Sequence, residues 1–355
     1  MALEGTERGP GLPGPLVLAR ADFIYDESLI RALVTQPGCL LVTAGPDGLF
    51  QAIAAHLPAG MPTAAVESLV STGRASESDL AATGLRLVSP TVLASAYNHA
   101  LRKRQAPYLL SLADTPAAEI ERLMFGGAYK GVTDFVTKRV WPAPALLMTR
   151  LCARAGISPN SITLVSLLFV LLATWLFWTG AFGWGLCAAW MMCFLDTVDG
   201  KLARVTLTST PFGNVFDHGI DLIHPPFWYF AWYHGLEFEG VGSAEFVALW
   251  IVILGYVGGR LQEGLFIWLF GIEIHTWRPV DSWFREITAR RNPNLFILSI
   301  AVLLAEPAKG FIAIALWTVV CFAFHSLRIL QAATASQRGR QPVSWLTQPI
   351  PTGKP

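Results

Sequence analysis

Asp196-Thr-Val-Asp199-Gly200-Lys201-Leu-Ala203-Arg204 and the downstream Gly213-Asn-Val-Phe-Asp217-His218-Gly-Ile-Asp221 lie between long apolar stretches. A carboxylate beside hydrocarbon is costly, so acids in such places are candidates for function. Spacing by three, four and seven positions puts Asp196, Asp199, Gly200 and Ala203 on one face of a helix. Gly213, Asp217 and Asp221, each four apart, share a face of a second helix. If the two helices are antiparallel neighbours, four carboxylates converge, and Gly200, Ala203 and Gly213 keep the seam thin. Such groups repel one another unless cations intervene. Carboxylate oxygens suit Mg²⁺ or Mn²⁺, and two ions about 4 Å apart could clamp a diphosphate. Lys201 and Arg204, one turn away, are placed to steady phosphate charge. His218 points off the acidic face and reads as a surface or core residue. The ordinary alternative for acids at helix ends is a solvated cap, and two of them at this spacing would not exclude it.

Around this stretch the composition is that of an integral membrane protein. Of 355 residues, 53% are hydrophobic and 14% charged, against about 25% charged in soluble globular chains. A net charge of +1 names no partner, and nothing points to nucleic acid. Five cysteines, odd in number and without a CxxC pair, form neither a disulfide framework nor a zinc site. The opening MALEGTERGPGLPGP has no basic or apolar region of the signal-peptide kind, so none is expected. Six apolar segments, at 162–179, 184–203, 213–233, 245–270, 293–306 and 310–330, are read as spans, the fifth being short. With the N-terminus inside, the inner loops carry Lys201, Arg204, Arg278, Arg285, Arg290 and Arg291, and the tail Arg328, Arg338 and Arg340. The outer loops hold Lys309 and the acids Glu237, Glu239 and Glu245, an asymmetry that fits the positive-inside rule. The acids at 196–221 then lie at the cytoplasmic ends of spans two and three.

The predicted fold is an all-α six-helix transmembrane bundle (159–332) preceded by a smaller soluble α/β domain (1–133). An amphipathic basic helix at 134–158, carrying Lys138, Arg139, Arg150 and Arg154, is expected on an anionic membrane surface, with an ordinary linker helix as the alternative. A Pro-rich tail (333–355) is expected to be disordered. In the front domain, β-like runs at Pro15–Leu18, Cys39–Thr43 and Leu85–Val88 alternate with helix-like runs at Asp26–Val34 and Gly48–His56.

The pattern Asp196-x2-Asp199-Gly200-x2-Ala203-Arg204-x8-Gly213-x3-Asp217-x3-Asp221 resembles the signature of the CDP-alcohol phosphotransferases, also called CDP-alcohol phosphatidyltransferases. Every fixed position is matched, and the upstream Ser158-Pro-Asn160-Ser-Ile-Thr163 is similar to the segment that opens the first span in that family. The resemblance covers about residues 134–330. It implies a phosphotransferase for substituted phosphate groups, in which an acceptor hydroxyl attacks the alcohol-side phosphorus of a CDP-alcohol and CMP leaves. By the same resemblance Asp196, Asp199, Asp217 and Asp221 would hold two Mg²⁺ or Mn²⁺ ions, and Asp221 would also be the general base. Gly200, Ala203 and Gly213 would give the nucleotide close approach, Arg204 would support the ligand cluster or phosphates, and Asn160 and Thr163 would line the site.

Arg290 and Arg291, at the start of span five, are candidate contacts for an acceptor phosphate, as in relatives that use inositol phosphate; positive-inside anchoring is the alternative. Arg260 lies within span four, in substrate contact or paired with Glu263. The donor is expected to be CDP-diacylglycerol, entering from the bilayer, or a CDP-polyol from the cytosol, in phospholipid or related biosynthesis. Leu16 to Asp26 resembles the metal-Asp strand of sugar cytidylyltransferases, but the Gly-rich loop that should precede Asp22 is missing, and Gly45-Pro-Asp-Gly48 is only a turn signal. The front domain therefore reads as a degenerate, inactive nucleotidyltransferase-like unit, available for dimer contact in an expected homodimer. An inner (cell) membrane location with a cytoplasmic active site follows from the charge asymmetry. A transporter, or an inactive membrane scaffold, is the rival reading.

Overall fold

The computed structural model describes residues 14–45, 49–99, 101–236 and 242–347. The expected turn at 45–48, the outer acids Glu237 and Glu239, the N-terminal stretch to residue 13 and residues 348–355 thus lie wholly or partly outside the described residues. The chain divides into two compact units, Met1–Gly127 and Ala128–Pro355.

The first unit runs β1 (Leu16–Ala19), β2 (Phe23–Tyr25), α1 (Glu27–Thr35), β3 (Cys39–Ala44), β4 (Phe50–Leu57), α2 (Ala64–Thr72), α3 (Glu77–Ala82), β5 (Arg86–Val88), α4 (Pro90–Leu93), β6 (Tyr97–Asn98), β7 (Lys103–Arg104), β8 (Leu109–Ser111) and α5 (Ala117–Gly127). Its main sheet has the order β1-β4-β3-β5, with β4 antiparallel to both neighbours and β3 parallel to β5. The helix expected at Gly48–His56 is instead the central strand β4. A short apolar run fits a buried strand or a buried helix equally well by periodicity. Here the partner strands decide: β4 pairs with β1 and β3, with a register shift at Ile53, so that Ala52, Ala55 and Leu57 pack with Val66, Val70 and Leu80, while Ile53 and Ala54 pack with Leu29 and Leu33.

The second unit is helical. A π-helical turn (Val136–Val140) leads into α6 (Pro142–Arg154), α7 (Pro159–Trp178), α8 (Phe182–Val205), α9 (Pro211–Gly235) and α10 (Ala244–Phe270). A 3-10 turn (Ile274–Thr276), α11 (Pro279–Ile287), α12 (Arg291–Leu303) and α13 (Pro307–Gln337) follow, then a last turn at Trp345–Thr347. The helix expected at 134–158 is therefore two pieces. The first is tied down: Lys138 and Arg139 both bond Glu286 of α11, at 2.6 and 3.2 Å. Burial pushes the Glu286 carboxyl up, but these two cations outweigh it and hold the group below its ordinary range.

Helices stand at all six expected spans, yet among the described residues three, not six, are long and apolar enough to cross a membrane: α7, α10 and α13. The reasons are in the sequence of the others. Asp196, Asp199, Lys201 and Arg204 crowd the last third of α8. In α9, Asp217 and Asp221 precede Pro225 and Pro226. With 13 residues, α12 rises roughly 20 Å, short of a hydrocarbon core of about 30 Å. The bundle core is aromatic, aliphatic and small-residue packing among α7, α8, α9, α10, α12 and α13, with Phe177 against Trp232 at 5.0 Å between centroids.

The tail expected to be disordered from residue 333 is helical to Gln337 and then docks. Ser344 donates to the Thr276 carbonyl, Trp345 to Ser282 Oγ, and Leu346 is buried.

Candidate functional site

The N-termini of α7 and α9 are built alike. Ser158 caps α7 by accepting from Ser161 N at 3.2 Å, and Thr210 caps α9 by accepting from Gly213 N at 3.0 Å. Each cap is followed by proline at the first helical position, whose fixed φ suits a helix start. The two starts touch. A Cβ on Gly213 would lie 2.7 Å from Asn160 Oδ1 and 3.1 Å from Thr210 Oγ1, so the contact needs glycine. The segment around Asn160, remote in sequence, is thereby brought to the acidic stretch.

The last turns of α8 and the first of α9 then carry the acids. Asp196, Asp217 and Asp221 offer carboxylate oxygens that all lie within 4.8 Å of one another. Asp199 is held apart from this trio. Its Oδ2 accepts from Thr163 Oγ1 of α7 at 2.6 Å, while its Oδ1 is buried with no partner. The expected four-way convergence is thus a trio with a neighbouring, tethered Asp199.

Arg291, the first residue of α12, reaches into the trio. Its Nη2 donates to Asp196 Oδ2 at 2.5 Å and its Nη1 to Asp221 Oδ1. Arg290 goes elsewhere. It donates to Glu263 Oε1 of α10, which also faces His275 Nε2 at 3.2 Å, while Arg260 Nη1 donates to Glu263 Oε2 at 3.3 Å. The Arg260–Glu263 pair is as expected; a joint role for Arg290 and Arg291 at one phosphate is not what the geometry gives. Arg290 is the extended N-cap (φ −131, ψ 179) and Arg291 the first helical residue, so their side chains diverge. A small cavity of about 30 Å³ lies beside the Glu263 cluster, bordered by Arg260, Glu263, Thr288, Arg290, Cys321 and His325.

The other predicted residues are placed as follows. Gly200 leaves room that the Arg204 guanidinium takes, with Nη2 3.1 Å from where a Cβ would stand. Arg204 Nε donates to the Ala128 carbonyl at 3.0 Å. Ala203 lies one turn beyond Asp199 on α8. Lys201, expected to steady phosphate, is buried with its ammonium 3.9 Å from the Tyr129 ring. His218 is exposed, its Nδ1 2.9 Å from the Asn214 carbonyl and 3.7 Å from Asp217 Oδ2.

Sequence reasoning missed the support of Arg291. Asn292 Nδ2 donates to Asp134 Oδ1 at 2.9 Å, and Asp134 also caps the π-helical turn through Thr137 N. Nothing in the spacing of Asp134 and Asn292, 158 residues apart, announces this pair. Thr163, expected to line the site, donates its hydroxyl to Asp199 Oδ2 at 2.6 Å.

Residues 156–276 match the family model described as CDP-alcohol phosphatidyltransferase. Cholinephosphotransferase 1 of Xenopus laevis is 39% identical over a stretch covering 19% of this chain and 19% of that protein. The match therefore spans about a fifth of that relative's length. All four acids, with Asn160 and Thr163, fall inside the region matched by the family, and Arg290 and Arg291 fall beyond it. The helices that build the acidic site, α7, α8 and α9, thus lie within the stretch that matches the CDP-alcohol phosphatidyltransferase family model, residues 156–276.

Proposed function

We propose that the chain transfers a substituted phosphate group from a CDP-alcohol to an acceptor alcohol and releases CMP. The observation that carries this reading is the trio Asp196, Asp217 and Asp221 within 4.8 Å, beside an Asp199 whose Oδ1 is buried with no partner, inside the matched domain. An all-carboxylate donor set fits hard cations of the Mg²⁺ or Mn²⁺ type. An orphaned buried carboxylate oxygen is what a missing ligand leaves behind. Asp196, Asp199, Asp217 and Asp221 would hold two such ions, which when bound offset the charge of the diphosphate.

The chain's own groups do the rest. Asp221 orients the acceptor hydroxyl and takes its proton, within the limits a cation-lowered basicity sets. Ala203 keeps the seam thin for the nucleotide, Gly213 lets α9 close on Asn160, and Arg204, whose guanidinium takes the room that Gly200 leaves, braces the phosphates. The acceptor binds on the side of Arg260 and Arg290, next to the cavity at Glu263. Just past Asp221, α9 exposes Leu222, Ile223 and Phe227; this apolar strip supports a donor such as CDP-diacylglycerol whose tails stay in lipid. The site faces the cytoplasm of the cell membrane in this reading, and the enzyme works as a homodimer. The first unit is inactive: Asp22 is bound by Arg20 at 2.9 and 2.5 Å.

The test is CMP release by purified protein with Mg²⁺ or Mn²⁺, with CDP-diacylglycerol and a CDP-polyol run separately against a panel of acceptor alcohols. Acceptor-dependent CMP is expected from one donor. No CMP from either, together with no metal-dependent CDP binding, refutes the reading.

A further inference from the structure

Arg291 invites a question that acid chemistry alone does not answer. Its guanidinium bridges Asp196 and Asp221, two of the three groups whose oxygens cluster within 4.8 Å. The Arg291 and Asp196 side chains are each 16% exposed and that of Asp221 40%, so the pairing with Asp196 sits largely out of water and that with Asp221 only in part. A cation there offsets repulsion that would otherwise raise the energy of the empty site. The groups it bonds, through Asp196 Oδ2 and Asp221 Oδ1, belong to the trio of carboxylates proposed above to hold divalent ions.

The backbone beneath this side chain is clamped on both sides. Arg290 is held by Glu263, and Asn292 by Asp134. The Arg291 side chain reaches from between these two contacts into the acids, with its Nη1 also 3.5 Å from Met192 Sδ. Along α12 it has no other acid within reach: the helix after Arg291 reads Asn-Pro-Asn-Leu-Phe-Ile-Leu-Ser-Ile-Ala-Val-Leu.

We propose that Arg291 is a tethered counter-cation that competes with divalent metal for Asp196 and Asp221, and is released when the metal binds. The inference rests on the proposed metal site and deepens it. An arginine fork freed beside a diphosphate would turn from the carboxylates to phosphate oxygens, the other bidentate partner it suits. The same side chain thereby stabilises the empty site and makes ion loading depend on the donor's phosphates arriving.

The experiment measures Mn²⁺ binding to the detergent-purified full chain by the loss of free-ion paramagnetic resonance signal, without any CDP-alcohol. Arg291→Gln is expected to bind Mn²⁺ about tenfold more tightly than the parent, and to melt at a lower temperature in chelator. Arg291→Lys, which keeps the charge but loses the fork, should fall between. Equal or weaker Mn²⁺ binding by Arg291→Gln overturns the competition. If Arg291→Gln does not fold, Arg291→Lys decides by the same comparison. Asp217→Asn separates the two failures. Mn²⁺ binding that depends on Asp217 but is indifferent to Arg291 sinks this inference alone, whereas no Asp217-dependent binding in any variant sinks the metal site with it.

Discussion

Replacing Thr163 by Val removes one hydroxyl and changes the shape of the side chain little. Thr163 is 4% exposed, so no large cavity opens and no surface is altered. The lost group is the donor to Asp199 Oδ2 at 2.6 Å. A hydrogen bond to a charged group contributes about 1.5–3 kcal/mol, or roughly 10- to 150-fold in any equilibrium that needs the carboxylate held in place. Groups that orient a metal ligand from behind act in a similar range, about 10–100-fold in affinity or activity. Since Asp199 Oδ1 already has no partner, Thr163→Val leaves a buried carboxylate with neither oxygen bonded by a side chain. The Mn²⁺ concentration for half-maximal CMP release is therefore expected to rise about 10–100-fold, with much less change at saturating Mn²⁺. Thr163→Ser should recover most of it. If Thr163→Val lowers the melting temperature but leaves the Mn²⁺ half-saturation where it was, the hydroxyl serves packing alone and Asp199 is not a ligand.

Three other outcomes are expected. Asp221→Asn should keep the fold and most CDP binding while CMP release falls about 10²–10⁴-fold; a near-normal rate removes Asp221 as base. Arg328→Met should cost about 3–5 kcal/mol, because Arg328 Nε and Nη2 hold the buried Asp281 at 2.6 and 2.8 Å; chemical denaturation in detergent reads this, and Asp281→Asn in the same chain should return part of the loss. Gly213→Ala should destabilise by about 1–3 kcal/mol, since its Cβ would meet Asn160 Oδ1 at 2.7 Å; an unchanged melting temperature would show that α7 and α9 do not meet so closely.

The acid site was legible because its information is local. Asp196 and Asp199 on one helix, and Asp217 and Asp221 on the next, are one turn apart, so spacing alone predicts a shared face. Which face of which neighbour they meet is non-local, and the sequence does not display it. The same limit explains Arg291. Read along the chain it is one of several basic residues on a single side of the bundle, and anchoring or phosphate binding both fit. Only the packing of α12 against α8 and α9 turns it toward Asp196 and Asp221. The span count failed for a different reason. A window average treats α8 as apolar for most of its length, but Asp196 to Arg204 occupy its end, where the site is. Similarly β4 was misread because Phe-Gln-Ala-Ile-Ala-Ala-His-Leu is apolar on both faces, and only its partners β1 and β3 decide the period.

The shortness of α12 has a structural reading once its start is considered. Three successive residues there bond four different parts of the fold: Arg290 with Glu263 on α10, Arg291 with Asp196 on α8 and Asp221 on α9, and Asn292 with Asp134 before α6. One residue turns a helix by about 100°, so a shift of register by a single position would break all these contacts together. Such a helix is fixed by its first turn, and its length beyond that need only reach the packing of Leu295 and Leu298 in the core. The matched region, which ends at residue 276, supplies the acids; the cation that answers them comes from the segment after it. The Arg291 contacts with Asp196 and Asp221 depend on the placement of α12, so a change at Glu263 or Asp134, neither of them bonded to the acid trio, is expected to disturb those contacts through the residue held between them.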